Sequence, residues 1–199
     1  MERMIVATRN KGKLREIRAI LADLPYEILS MEEAGISMDV EEDGVSFEEN
    51  ALKKAHAIWT AAGGTVLADD SGLEVDALGG EPGIHSARYG GPGLDDTDRW
   101  RLLLKNMEDV PENRRTARFV CAAAVVSSDQ RLVVRGTMEG QILFSPRGDH
   151  GFGYDPVFLV TEVGKSVAEM DETQKNLISH RGRSLTLLAS ELAKLHSLR

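Results

Sequence analysis

The chain has 199 residues, 42% of them hydrophobic and 28% charged, with 32 acidic against 24 basic side chains and a formal net charge of −8. That length suits one large domain, residues 1–199, and no stretch approaches the ~18 uninterrupted apolar residues of a membrane span, which excludes a membrane partner of that kind. The acidic balance disfavours a broad surface for nucleic acid and leaves a small polyanion, held by a local basic cluster and a divalent cation, as the charged partner to look for.

Met4 to Ala7 forms a short apolar strand that begins without the long hydrophobic region of a secretory signal. With a single cysteine, Cys121, no internal disulfide is expected; the thiol sits in an apolar run as a buried inert group, and the expected compartment is a reducing cytoplasm. From Leu14, the residues Leu14, Ile17, Ile20, Leu21 and Leu24 recur at helical spacing until Pro25. A second strand follows at Tyr26 to Leu29, then an acidic loop from Asp39 to Gly44. Ser46 and Glu49 read as a capping box for a helix carrying Phe47, Ala51, Ala55, Ile58 and Ala62 up to Gly63 and Gly64.

Thr65 to Ala68 predicts a buried strand that ends at Asp69-Asp70-Ser71-Gly72, after which Leu73, Val75 and Ala77 alternate as a separate, half-exposed strand. Gly79 to Gly93 predicts an ordered loop, and Trp100, Leu103, Leu104 and Met107 mark a helix. Thr116 to Val126 and Arg131 to Leu143 flank Ser127 to Gln130 as an antiparallel hairpin. A last helix carries Leu185, Leu188, Ala189, Leu192 and Leu195, with Ser179 as its N-cap. Helices alternate with strands early and a hairpin occupies the middle, so the expected class is α/β with a mixed sheet covered by helices.

Four loops carry candidate chemistry. Thr8-Arg9-Asn10-Lys11-Gly12-Lys13 joins a strand to a helix start, where unpaired amides and the positive helix end suit phosphate oxygens, though the same residues would also serve as an N-cap with solvated lysines. The acidic stretches Glu41-Glu42-Asp43 and Asp69-Asp70-Ser71-Gly72 offer hard oxygen ligands for Mg2+ or a base for an attacking water, against the alternatives of solvated surface and a simple turn. Phe152, Gly153, Tyr154 and Asp155, following Gly151, offer an aromatic face for a base or a plug for the core. Lys175 with Ser179-His180-Arg181-Gly182 gathers donors before the final helix, a choice that opposes the helix dipole and points to an acceptor-rich ligand. His56, His85, His150 and His196 lack a zinc-binding spacing.

Taken together, six ordered motifs resemble the inosine triphosphate pyrophosphatase family over essentially the whole chain: Thr8-x-Asn10-x-x-Lys13, Ser46-Phe47-x-Glu49-Asn50-Ala51, Ala68-Asp69-Asp70-Ser71-Gly72-Leu73, the run from Pro82 to Tyr89, Gly151 to Pro156, and Lys175 followed by Ser179-His180-Arg181. The resemblance implies an elongated two-lobed α/β fold with a nucleotide cleft, a homodimer, and Mg2+-dependent hydrolysis of ITP, dITP and XTP to the monophosphate and pyrophosphate. It further implies that Thr8 to Lys13 hold the phosphates, that Asp70 accepts a proton and binds the metal, and that Glu41, with Glu42 beside it, is a second metal ligand. Ser71, Phe152 to Asp155, Lys175, His180 and Arg181 would contact the nucleotide, while Arg9 and Lys11 stand at positions that vary in the family and His85 stands where other members often have an aromatic residue. A 6-oxo acceptor in place of an amino donor distinguishes these bases from adenine, so a donor from Arg181 or Lys175 would select them. A sensor that binds nucleotide without turnover, and a pyrophosphatase for modified pyrimidine nucleotides, are the competing readings.

Overall fold

The computed structural model describes residues 2–197, with side chains described up to residue 194, so Leu195 and His196 lie outside the described side chains. Among the described residues, seven strands form one mixed sheet in the order β2-β1-β3-β4-β5-β6-β7. Strands β1 (Glu2–Val6) and β2 (Tyr26–Ser30) are parallel, as are β1 and β3 (Thr65–Val75), with Val6 opposite Ser30 on one side and Leu67 on the other. Strands β4 (Thr116–Val126) and β5 (Arg131–Ile142) form the expected hairpin, its turn closed by Ser127 N–H donating to the Gln130 carbonyl at 2.9 Å. Two short strands, β6 (Phe158–Val160) and β7 (Lys165–Ser166), extend the sheet antiparallel beyond β5.

Three elements depart from the sequence reading. Helix α1 runs Lys11–Ile20, a turn earlier than the apolar periodicity indicates, because the Asn10 side chain caps it by accepting from Lys13 N at 3.1 Å. Strand β3 passes unbroken through Asp69-Asp70-Ser71-Gly72, where a strand end was expected. Turn-forming composition there is overridden within the sheet, where β3 lies between β1, which pairs with it at Thr65 to Leu67, and β4; Leu73 and Val75 are fully buried with Glu74 half-exposed between them, the expected alternation, while Ala77 belongs to a single 3-10 turn. The short helix α4 (Glu172–Ile178), capped by an Asp171/Gln174 box, has no counterpart in the sequence reading; Ser179 ends it in extended backbone and stands, as expected, directly before α5 (His180–Ser197).

The chain divides into two compact units. The first comprises residues 1–70, 121–136 and 180–199. Its core joins Met4, Val6 and Leu67 of the sheet to Ile17 and Leu21 of α1 and to Leu185, Leu188 and Leu192 of α5. Helix α2 (Phe47–Ala62) belongs to the same unit and is capped by Ser46 accepting from Glu49 N at 3.1 Å. The second unit comprises 71–120 and 137–179, and its core gathers Leu73, Val75, Phe119, Met138, Tyr154 and Phe158 against Leu103 of helix α3 (Asp96–Asn106) and Met107 just after its end. Buried Arg115 braces that core by donating to the carbonyls of Met107, Val110, Ile142 and Leu143 at 2.8 to 3.2 Å. No helix among the described residues is long and apolar enough to cross a membrane.

Candidate active site

In the first unit, strand periodicity decides what Asp69 and Asp70 do. Successive side chains of a strand point to opposite faces. Leu67 packs with α1 and α5, and Asp69, two residues on, turns the same way; Asp70 turns toward α2. Asp69 is wholly buried, with Lys13 Nζ at 3.0 Å and Arg181 Nε and Nη2 both at 3.3 Å. Burial alone would raise its pKa, but Lys13, Arg181 and Lys54 together hold it well below the ordinary carboxylate range. Arg181, 1% exposed, places its remaining guanidinium nitrogen on Glu16, a carboxylate buried on α1 beside Ile17. Burial would lower Arg181, yet Asp69 and Glu16 outweigh it and hold the guanidinium charged.

The result is a buried chain, Lys13–Asp69–Arg181–Glu16, with two positive and two negative members. Cys121 packs at its edge, Sγ 3.9 Å from Asp69 and accepting from Ser184 Oγ at 3.2 Å, its pKa pushed up to about 12 by burial first and by Asp69 second. This agrees with an inert thiol.

Asp70 has a different environment. Its Oδ2 accepts from Asn50 Nδ2 at 3.0 Å, and burial, reinforced by the nearby Glu42 and only partly offset by Asn50, raises its pKa above the usual value. Glu42 is ion-paired with Lys54, whose ammonium is stabilised by Asp69 and Glu42 against its own desolvation; Glu41 is solvent-exposed. Among the described residues no three His, Cys, Asp or Glu side chains gather as a metal cage. A cation here would therefore take one or two carboxylates and fill its shell with water and phosphate oxygens, which is how Mg2+ is commonly held. The hard-oxygen donor set of Asp70 with the acidic loop fits that ion.

The Thr8 to Lys13 turn is ordered by Asn10 N–H donating to Thr8 Oγ1 at 3.2 Å and by Arg9, which donates to the Ser37 carbonyl at 2.7 Å and pairs with Asp39 at 3.0 Å. Arg9 is thus spent on holding the loop that follows β2, whereas Lys11 is exposed at the helix start and Gly12 is half-buried. A cavity of about 800 Å3 opens on the same turn, with Lys11, Arg15 and Arg18 among its walls. His180 is buried at the first residue of α5.

In the second unit, Ser71 is half-buried on β3, and Lys175 and Asp155 form a buried pair at 2.8 Å. The Lys175 ammonium also lies 4.5 Å from the centre of the half-buried Phe152 ring. The turn is tight: Asp155 accepts from Phe152 N at 3.0 Å, and Gly153 N donates to Asp96 of α3 at 2.8 Å. Gly151 has φ +81°, and a side chain there would meet Asp155 Oδ2 at 2.1 Å, so only glycine fits. Tyr154 faces inward, donating to the Ser86 carbonyl at 2.8 Å, which places it in the core and leaves Phe152 as the ring with an accessible face. His85 is exposed and accepts from Arg88 Nε at 3.2 Å.

Sequence reasoning passed over Glu16, Lys54 and Asp96, and it quoted Asn50 within a motif without giving it a task. The signal for Glu16 was a carboxylate next to Ile17 on the apolar face of α1, three residues after Lys13. Lys54 and Asp96 sat among other charges on their helices and carried no mark of their own.

Residues 4–191 match the model of the Ham1 family. A dITP/XTP pyrophosphatase of Geobacter sulfurreducens is 52% identical over 193 residues, 96% of this chain and 97% of that protein, and one from Bacillus subtilis is 44% identical over 96% and 98%. Among solved structures, a HAM1 protein from Coxiella burnetii superposes with a TM-score of 0.88 at 38% identity, covering 98% of this chain and all of that one. The Staphylococcus aureus Ham1 protein gives 0.87 at 40% identity over 97% and 99%.

Proposed function

The chain belongs to the Ham1 family, and from that membership and the two clusters we propose that it hydrolyses non-standard purine nucleoside triphosphates (ITP, dITP and XTP) to the monophosphate and pyrophosphate. The observation that carries the chemistry is the contrast between adjacent aspartates: Asp69 is locked as a charged structural partner of Lys13, while Asp70 is held with a raised proton affinity. In this reading a water attacks the α-phosphorus, its proton passes to an Asp70 carboxylate oxygen, and the bond from the α-phosphorus to the bridging oxygen breaks with pyrophosphate leaving. Lys13, fixed by Asp69, and the amides of the Thr8 to Lys13 turn meet the charge that builds on the phosphate oxygens. A bound Mg2+, held by Asp70 and Glu41, supplies charge neutralisation of the phosphates. Glu42, already paired with Lys54, is the less available of the two neighbouring glutamates.

Phe152 is assigned stacking on the base and Lys175, which Asp155 holds in position, a donor to its 6-oxo acceptor. Ser71 and His180 are assigned further nucleotide contacts. Arg181, engaged by Asp69 and Glu16, is assigned an indirect part through Lys13. We place this activity in the cytoplasm, in a homodimer whose protomers each use residues 1–199 as one catalytic domain.

The test is product analysis with Mg2+ and a panel of ITP, dITP, XTP, ATP and GTP. Pyrophosphate released from the first three, and a fall in rate of about 10²- to 10⁴-fold in Asp70→Asn, is the expected outcome. Release of single phosphate, equal turnover of ATP, or wild-type rates for Asp70→Asn at saturating Mg2+ would overturn it.

A further inference from the structure

We propose that Asn50 is a positioning residue that locks the acidic loop 39–44 to the Asp70 carboxylate, so that loop and strand present their carboxylates to a divalent cation as one preassembled set. The inference rests on the reading of Asp70 just given. Asn50 is 1% exposed and therefore touches no substrate; what it touches are two groups that must be held in register. Its Oδ1 accepts from Gly44 N at 2.8 Å, and its Nδ2 donates to Asp70 Oδ2 at 3.0 Å.

The orientation is forced by chemistry. A backbone N–H can only donate, so the carbonyl end of the carboxamide must face Gly44, and the amide end then faces Asp70, whose ionised oxygens only accept. The loop side of this strut needs a glycine, because a Cβ on Gly44 would stand 2.7 Å from Asn50 Oδ1 and 3.2 Å from Asn50 N. The next two residues are clipped to the same helix: Val45 N donates to Glu49 Oε2 at 3.0 Å, and Ser46 caps α2. Glu42 and Glu41 thus stand two and three residues upstream of an anchored point, Glu42 tied to Lys54 and its neighbour Asp43 to Lys53 of the same helix. Helix α2 is the jig on which the loop and Asp70 are set, and Asn50 is its contact with both.

The test compares full-length wild type, Asn50→Ala, Gly44→Ala and the double variant. Three readouts are taken: amide exchange of residues 39–45 without metal or nucleotide, Mn2+ affinity by electron paramagnetic resonance, and Mg2+ half-saturation, kcat and KM with ITP. Loss of a group that orients a metal ligand commonly costs 10- to 100-fold in metal affinity. Each single variant should therefore speed exchange in the loop about tenfold or more and weaken Mn2+ and Mg2+ about tenfold or more. KM for ITP at saturating Mg2+ should stay within about threefold, and the double variant should add little to either single one, since both break the same strut. Faster exchange with unchanged Mn2+ and Mg2+ affinity would reduce Asn50 to loop packing and overturn the proposal, as would fully additive losses. If Asn50→Ala does not fold, Gly44→Ala leaves the bond to Asp70 available and decides the question through exchange and Mn2+ binding. If wild type fails to release pyrophosphate from ITP, the functional reading falls, while those same two arms still report on the strut.

Discussion

Replacing Arg181 by Met should unmask the energetics of the buried chain it completes. The guanidinium is 1% exposed and sits between Asp69 and Glu16, both buried. Met approximates its stem but carries no charge, so Asp69 keeps Lys13 at 3.0 Å while Glu16, at 6% exposure, loses the cation it is paired with. Breaking a buried pair by removing one member costs about 3 to 5 kcal/mol, chiefly as the penalty of stranding the other charge. For a chain of this length each kcal/mol shifts Tm by about 2 to 4 °C, which predicts a fall of about 6 to 20 °C. The diagnostic comes from Glu16→Gln. In the wild-type background it removes a partner of Arg181 and destabilises; in the Arg181→Met background it removes the stranded charge and should recover stability. Urea unfolding of the four proteins yields a coupling energy, expected at about 1 to 3 kcal/mol for neighbours in one network. Additivity within about 0.5 kcal/mol would refute the view that Arg181 and Glu16 compensate each other.

Three more outcomes follow from the same structure. Asp69 has a folded pKa below its unfolded value near 3.9, so its pairing stabilises the fold above that pH and the contribution is lost as pH falls through and below it; Asp69→Asn should show a flatter decline of unfolding free energy from about pH 5 to 2 than wild type, and equal slopes would contradict the assignment. Cys121, raised from 9.0 to about 12 and fully buried, should have roughly a thousandth of the thiolate of an ordinary thiol at pH 8, so a disulfide reagent should label it only as the protein unfolds, and rapid native labelling would show the site to be open. Phe152→Ala should lose about 1 to 3 kcal/mol of base stacking, raising KM for ITP about 5- to 150-fold in steady-state assays; an unchanged KM would remove Phe152 from the base site.

Much of the architecture was legible because local and tertiary preferences coincide in it. Ser46 and Glu49 mark the start of α2, the paired glycines after Ala62 mark its end, and the β4–β5 hairpin is bounded by the turn residues that close it. The reading failed where they conflict. Asp-Asp-Ser-Gly has the composition of a turn, yet β3, which neighbours β4 in the sheet, continues extended through it beyond the Thr65 to Leu67 stretch that pairs with β1. The short helix α4 escaped notice because its seven residues are too few to show an apolar period, although Asp171 and Gln174 form its capping box. At the candidate site, residue types pointed to the right loops without disclosing which side chains are engaged. The burial of Arg181 depends on Glu16, 165 positions away in the sequence, and no local pattern can express that distance.

The passage of β3 through both aspartates makes segment length, as well as residue identity, a quantity this part of the chain cannot vary. Asp69 and Asp70 are distinguished by parity alone: inserting or deleting one residue between Thr65 and Asp69 would send the first carboxylate toward Asn50 and the second toward Lys13 and Arg181, with the composition almost unchanged. A substitution along this buried ribbon perturbs one set of contacts, whereas an odd change in its count exchanges the two tasks at a stroke.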